Sequence, residues 1–133
     1  MSSILIYASD QTTRGRLEKA LSDHRCEIRS VPSLKEVIQT VSPRRFTAAV
    51  LDLSMFIDSA EEMNALDTIS IIKGIDAQLP IIAITEDSSL STEREARLKG
   101  VFYYLVKPVD PEEVRAAVTG AIFKHSRETA IYL

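Results

Sequence analysis

The chain has 133 residues, 45% of them hydrophobic and 26% charged, which fits one soluble globular domain with a core of its own. Its 16 basic and 19 acidic residues are mixed along the sequence, so there is no basic face on which a nucleic acid would bind directly. No segment approaches the roughly 20 apolar residues that cross a bilayer, and the first residues lack the pattern of a secretory signal, so we expect a cytoplasmic protein without membrane contact.

Four short apolar runs, at 4–8, 48–51, 80–84 and 103–106, stand among amphipathic segments along the chain. Such runs predict buried parallel strands, and the segments between them predict helices. The predicted strands are 3–8, 27–31, 47–51, 80–84 and 102–106, and the predicted helices are 12–22, 34–41, a third reaching residue 73, 92–99 and 111–124. Right-handed crossovers predict an α/β fold of the (βα)5 type, a doubly wound five-stranded parallel sheet in the order 2-1-3-4-5, as in flavodoxin-like proteins.

Residues that favour helix ends support these boundaries. Asp10 or Thr12 is suited to cap the start of the first helix, and Ser33 the start of the second. Gly74 and Gly100 are predicted to end the third and the fourth helix.

Polar side chains follow three of the predicted strands: Asp52 after the third, Thr85 after the fourth and Lys107 after the fifth. Ligand chemistry in such sheets gathers at the carboxyl ends of the strands. A carboxylate, a hydroxyl and an ammonium that converge there can accept and hold a phosphoryl group. Each residue alone also fits a structural role: Asp52 as a cap, Thr85 as a strand-end hydroxyl and Lys107 as an exposed lysine.

Three segments resemble the receiver domain of bacterial two-component response regulators, namely Val50-Leu51-Asp52, Ile82-Ala83-Ile84-Thr85 and Tyr104-Leu105-Val106-Lys107-Pro108. The resemblance covers the chain from residue 3 to residue 124, and the order and spacing of the segments make it specific. It implies that Asp52 is the phosphoacceptor, which takes a phosphoryl group from a histidine kinase, a phosphotransferase or a small phosphodonor and forms an aspartyl phosphate.

The resemblance also implies roles for three neighbours of the acceptor. Lys107 supplies a fixed positive charge, and the hydroxyl of Thr85 binds a phosphoryl oxygen. Tyr104 moves inward as Thr85 shifts, which changes the affinity for a downstream protein partner at the surface of the fourth helix, fifth strand and fifth helix. Alternatively, Tyr104 is a half-buried strand tyrosine facing a helix. A module of this kind is not an enzyme, and a homodimer paired through the last helix and strand is expected.

The chain departs from this family where magnesium usually binds. Two acidic residues are typical after the first strand, but Ala8 and Ser9 stand there, and Asp10 follows one place later. Mg²⁺ is usually held by one or two carboxylates together with phosphate and water. The remaining candidate ligands are the carboxylate of Asp52, the backbone carbonyl of Ser54, and Asp10 if its loop turns inward. Ser9 is a candidate to orient a water.

The loss of the acidic pair has consequences for the acceptor. The spacing of Asp10 suits a helix cap as well as a ligand. Without neighbouring negative charge, Asp52 is expected to ionise readily and to pair directly with Lys107. We therefore expect a Mg²⁺ site that is weak or absent, and phosphorylation that is slow or does not occur.

The sequence is consistent with two functions. The first is a phosphorylation-dependent switch, which is favoured by retention of the acceptor, the hydroxyl, the aromatic residue and the lysine together. The second is a pseudo-receiver, a protein-interaction module that works without phosphate, which is favoured by loss of the acidic pair. A flavin or nucleotide binder is disfavoured because the chain has only four glycines and no glycine-rich phosphate loop directly after the first strand.

The remaining segments carry weaker expectations. Residues 55–57 form either an apolar cover of the site or local core packing. Glu86, where the family usually has a small residue, either hinders a phosphodonor at the site entrance or points to solvent. We assign residues 1–125 to the receiver-like domain and residues 126–133 to a C-terminal tail or a truncated linker.

Overall fold

The strands of this protein form one parallel sheet. A computed structural model describes residues 2–22, 26–54, 65–86 and 88–131. The strands are β1 (Ser2–Tyr7), β2 (Cys26–Val31), β3 (Ala48–Asp52), β4 (Ile81–Thr85) and β5 (Tyr103–Val106), and the helices are α1 (Gln11–Leu21), α2 (Leu34–Thr40), α3 (Ala65–Ile75), α4 (Leu90–Leu98) and α5 (Pro111–Ile131). The sheet order is β2-β1-β3-β4-β5, which confirms the predicted topology.

Two hydrophobic clusters lie on the two faces of the sheet. Alternate residues of each strand point to opposite faces, so Leu5 joins one cluster while Ile4 and Ile6 join the other. The first cluster packs beneath α2, α3 and α4 and includes Val37, Ile69, Ile72 and Ala96. The second packs beneath α1 and α5 and includes Leu17, Ala20, Val114 and Val118. Because helices cover both faces, the apolar runs of the inner strands β3 and β4 are continuous rather than alternating.

The central strands β3 and β4 are buried along their whole length. Each is paired with a strand on both sides and covered by helices on both faces. A polar side chain at the carboxyl end of either strand therefore lies in the middle of the row formed by the carboxyl ends of the strands. Asp52 and Thr85 are those end residues, and they are only 1% and 2% exposed. Within the described residues, no helix is long and apolar enough to cross a membrane.

The predicted helix caps are mostly confirmed. The side chain of Asp10 accepts a hydrogen bond from the backbone N–H of Thr13 at the start of α1, and Ser33 does the same for Glu36 at the start of α2. Gly100 follows the end of α4 with φ 105°, the left-handed conformation that glycine adopts without strain.

Two predicted helix ends are wrong. Gly74 lies inside α3, which continues to Ile75 because Gly74 does not have a positive φ and the N–H of Asp76 still bonds to the carbonyl of Ile72. The last helix continues beyond the predicted residue 124 to Ile131, since no glycine or proline follows Gly120 to stop it. Much of the predicted tail is therefore helical.

Candidate functional site

The site lies at the carboxyl ends of four strands. Asp52 ends β3 and Thr85 ends β4, while Lys107 follows β5 directly. Ser9 follows β1, and the pairing of Tyr7 with Leu51 brings the loop after β1 alongside the end of β3. The backbone N–H of Lys107 donates to the carbonyl of Thr85 at 2.8 Å, which ties the ends of β4 and β5 together. The sheet order thus gathers residues that are far apart in the sequence.

The carboxylate of Asp52 is completely buried and surrounded by donors. Its Oδ2 accepts hydrogen bonds from the backbone N–H of Ser9 at 2.8 Å and from the Ser9 hydroxyl at 2.6 Å. The same oxygen lies 2.7 Å from Nζ of Lys107. Its Oδ1 accepts a hydrogen bond from the N–H of Ser54 at 2.9 Å. A buried carboxylate needs such partners to remain charged, and Asp52 has them on both oxygens.

Lys107 is the cation at the centre of this site, with a side chain that is only 11% exposed. Besides Asp52, its ammonium contacts Oδ2 of Asp10 at 2.8 Å and donates to Oγ of Ser9 at 3.4 Å. A lysine ammonium has three N–H donors, and these three acceptors match that number. Glu86 lies further out, with Oε1 3.9 Å from Nζ and an exposed side chain. The expected pairing of Asp52 with Lys107 is thus present.

Asp10 has two roles at once. Its Oδ1 accepts the N–H of Thr13 at 2.6 Å, and its Oδ2 accepts the hydroxyl of Thr13 at 2.9 Å. The helix cap expected from the sequence is therefore confirmed, yet the same carboxylate also contacts Lys107. Asp10 joins the start of α1 to the site.

Charge pairing shifts the pKa values of all three groups. Burial by itself raises the pKa of Asp52, but hydrogen bonds from Lys107, Ser54 and Ser9 outweigh it and hold the pKa below its usual value. The hydrogen bond from Lys107, followed by that from Thr13, lowers the pKa of Asp10 to about 2. Burial lowers the pKa of Lys107, but Asp10 and Asp52 outweigh it and raise the pKa. At neutral pH the site therefore holds two carboxylates and one ammonium.

The other predicted site residues lie nearby or outside the described residues. Thr85 is buried at the end of β4, and Tyr104 is half-buried in β5, packed against the cluster beneath α2, α3 and α4. Their roles in switching stay predictions. Residues 55–57, predicted as a cover of the site or as core packing, lie outside the described residues.

The carboxylates of the site that are candidate ligands for a divalent cation are engaged by an ammonium. The described residues contain no group of three or more His, Cys, Asp or Glu that could hold a metal ion. Both carboxylates, those of Asp52 and Asp10, are bound by Lys107. Ala8 has no ligand atom in its side chain, and Ser9 donates its hydroxyl proton to Asp52. The backbone carbonyl of Ser54 stays a prediction as a ligand.

The direct contact of Ser9 with Asp52 is not predicted from the sequence. Ser9 was expected at most to orient a water, but it donates two hydrogen bonds directly to Asp52. A usable signal was present, because the residue that follows β1 lies beside the end of β3 once these strands are neighbours.

Comparisons with a family model, with known sequences and with solved structures agree with one another. A family model described as the response regulator receiver domain matches residues 4–119. The DNA-binding transcriptional regulator NtrC of Proteus hauseri is 28% identical over 126 residues, and the match covers 95% of this chain but only 25% of that protein. This chain therefore spans about a quarter of the length of that relative.

Two solved structures are similar in fold. The response regulator receiver domain protein (CheY-like) of Methanospirillum hungatei JF-1 has a TM-score of 0.83 and 17% identity, with 96% of this chain and 98% of that chain covered. The beryllofluoride-activated NtrC4 receiver domain dimer has a TM-score of 0.82 and 22% identity, and the match covers 94% of this chain and 99% of that chain. At these identities the likeness supports the fold alone.

Proposed function

Because this chain belongs to the response regulator receiver domain family, we propose that Asp52 accepts a phosphoryl group in a two-component phosphorelay and thereby switches the binding of a partner protein. Receiver domains are signalling modules rather than enzymes, and they interact with histidine kinases and downstream effectors. The observation that carries the proposal is the 2.7 Å contact between Lys107 Nζ and Asp52 Oδ2, since it puts a fixed positive charge beside a buried carboxylate.

The two oxygens of Asp52 differ in a way that suits phosphoryl transfer. Among the described residues, Oδ2 has three donors and Oδ1 has one, the N–H of Ser54. We assign Oδ1 as the attacking atom because fewer of its lone pairs are used in hydrogen bonds than those of Oδ2. Lys107 then neutralises charge on the incoming phosphoryl oxygens, and the hydroxyl of Thr85 binds one of them.

The phosphoryl donor in this proposal is a histidine kinase or a phosphotransferase, and the output is a changed contact with a downstream protein. Tyr104 transmits the change from Thr85 to the surface formed by α4, β5 and α5. That surface has exposed apolar side chains, with Tyr103 and Val106 40% exposed on β5 and Phe123 65% exposed on α5. They also suit pairing of two copies, and the similar NtrC4 receiver domain is described as a dimer. We place this activity in the cytoplasm, without direct contact to nucleic acid.

Receiver domains generally bind Mg²⁺ at the phosphorylation site. We propose that this binding is weakened here, because Lys107 competes for both remaining carboxylates. We also propose that transfer to Asp52 is slower than in a receiver domain with the acidic pair.

A second function has its own support. The carboxylate of Asp52 is already bonded at both oxygens and wholly buried, so a closed site of this kind suits a pseudo-receiver that binds a protein without being phosphorylated. The two functions differ in whether Asp52 ever carries a phosphoryl group.

The experiment that separates them is intact-protein mass spectrometry after incubation with acetyl phosphate, with Asp52→Ala as the control. A single phosphoryl adduct that is absent from the variant supports the phosphoacceptor. The absence of an adduct, under conditions that modify an ordinary receiver domain, supports the pseudo-receiver.

A further inference from the structure

We propose that Ser9 and Lys107 together take the place of a divalent cation at Asp52, so that phosphorylation of this chain requires no metal. This inference rests on the proposed function, since it concerns the same acceptor. Its basis is the disagreement between the family's metal site and the side chains that are present at the ends of β1, β3 and β5.

The first step concerns the oxygen that Ser9 contacts. Oδ2 of Asp52 receives the Ser9 hydroxyl at 2.6 Å and the Ser9 N–H at 2.8 Å. In the receiver domain pattern, the positions of Ala8 and Ser9 are those of the acidic residues that bind the cation. Here the position supplies donors instead of ligands, and these donors act on the carboxylate directly.

The second step concerns the rigidity of the positive charge. The ammonium of Lys107 is held between Asp52 at 2.7 Å and Asp10 at 2.8 Å. Asp10 is itself fixed by both hydrogen bonds from Thr13. Donors and charges that are already positioned stabilise a transition state without reorganisation at the moment of reaction. Asp10 thus acts as a positioning residue for Lys107.

The third step is the balance of the reaction with acetyl phosphate. Oδ1 of Asp52 gives an electron pair to phosphorus, the bond from phosphorus to the acetyl oxygen breaks, and acetate leaves with that electron pair. The negative charge of the Asp52 carboxylate thus ends on the departing acetate, the phosphoryl oxygens carry the same charge before and after the transfer, and Oδ2 becomes the carbonyl oxygen of the acyl phosphate. The Lys107 ammonium and the Ser9 hydroxyl need only shift from Oδ2 towards the phosphoryl oxygens.

The same geometry predicts what an acid at position 9 would do. A carboxylate there would lie close to the charged oxygen of Asp52, and two like charges at that distance repel each other. The variant Ser9→Asp would therefore need a cation to bring the carboxylates together. We expect this single change to create metal dependence.

The test measures the rate of phosphoryl adduct formation from acetyl phosphate in EDTA and in MgCl2. The proteins are the unchanged chain, Ser9→Ala, Ser9→Thr and Ser9→Asp, with Ser42→Ala as a control because Ser42 is exposed at the opposite end of the sheet. We expect equal rates with and without Mg²⁺ for the unchanged chain and for Ser42→Ala. Ser9→Ala is expected to be about tenfold slower in both conditions, with recovery in Ser9→Thr.

Calorimetric titration with MgCl2 gives a second readout that does not depend on activity. Ser9→Asp is expected to bind Mg²⁺ and to form adduct only in its presence, whereas the unchanged chain binds it at least tenfold more weakly. Thermal unfolding by circular dichroism checks that every variant is folded.

The outcomes distinguish this inference from the proposed function. An adduct that forms on the unchanged chain only in MgCl2 overturns the inference and leaves the proposed function intact. Equal rates for Ser9→Ala and the unchanged chain overturn the role of Ser9. No adduct in either condition overturns both.

Discussion

Nζ of Lys107 lies 2.7 Å from Oδ2 of Asp52 and 2.8 Å from Oδ2 of Asp10, so a single ammonium joins the ends of β3 and β5 to the start of α1. Removing the lysine leaves the buried carboxylate of Asp52 without its counter-charge. Breaking a buried ion pair by removing one partner costs far more than breaking an exposed pair.

Lys107→Met is expected to lower the free energy of unfolding by about 3 kcal/mol, because the charge of Asp52 is then buried and uncompensated. Urea denaturation at pH 7 measures this. Lys35→Met is the control, since Lys35 is exposed on α2 and its loss is expected to cost less than about 0.5 kcal/mol. Adding Asp52→Asn to Lys107→Met should recover much of the loss. Equal stability of the two lysine variants would contradict the prediction.

The contribution of Asp10 to stability depends on pH. Its pKa is lowered from 3.8 to about 2 in the folded protein, so folding favours the ionised carboxylate. The stabilisation is therefore present above pH 3.8 and is lost as the pH falls towards 2. Asp10→Asn keeps a residue that caps helices well, so it removes the charge and retains the cap.

Urea denaturation of the unchanged chain and Asp10→Asn should thus show a stability difference at pH 6 that shrinks as the pH approaches 2. A difference of the same size at both ends of this range would show that the ion pair with Lys107 is not its source.

Replacing either of two glycines by alanine should change the stability of the fold, in opposite directions for the two positions. Gly100 has φ 105°, and a Cβ there would meet the side chain of Lys73 at 3.2 Å, so Gly100→Ala is expected to cost about 1 kcal/mol or more. Gly74 lies inside α3 with nothing within 4 Å of an added Cβ, so Gly74→Ala is expected to stabilise by about 0.5 to 1 kcal/mol. Thermal and urea denaturation of both variants measure the effects. Destabilisation by Gly74→Ala would refute the placement of Gly74 within the helix.

The apolar side chains of β5 and α5 are expected to pair two copies of the chain. Phe123 is 65% exposed on α5, and Phe123→Glu should weaken self-association about tenfold or more by placing a charge in the interface. Sedimentation equilibrium measures the dissociation constant. Ile71→Glu on α3 changes a side chain that is 39% exposed on another helix and should leave association unchanged. Weaker association in the Ile71 variant alone would assign the interface to α3 instead.

The fold was predictable because its signals are local and periodic. Apolar runs marked every strand except β2, and capping by Asp10 and Ser33 marked the starts of α1 and α2. The end of α3 was mispredicted because a glycine signals a helix end only when it adopts a positive φ, and Gly74 does not. Sequence alone does not reveal which conformation a glycine adopts.

The residues of the candidate site were predictable from the sequence, but most of the contacts between them were not. The sheet order brings Asp52 and Lys107 together, and their pairing followed from the loss of neighbouring acids. The direct hydrogen bonds from Ser9 depend on how the loop after β1 turns, and the double use of Asp10 depends on the reach of the Lys107 side chain. These are distances between elements, which spacing along the chain does not fix.

The most direct measurement is to identify the modified residue itself. Sodium borohydride reduces an aspartyl phosphate to homoserine, so the chain is incubated with acetyl phosphate, reduced, digested and analysed by peptide mass spectrometry. We predict homoserine at position 52 and at no other aspartate. Homoserine at a different aspartate, or none at position 52 in folded protein, would contradict the assignment of Asp52 as the phosphoacceptor.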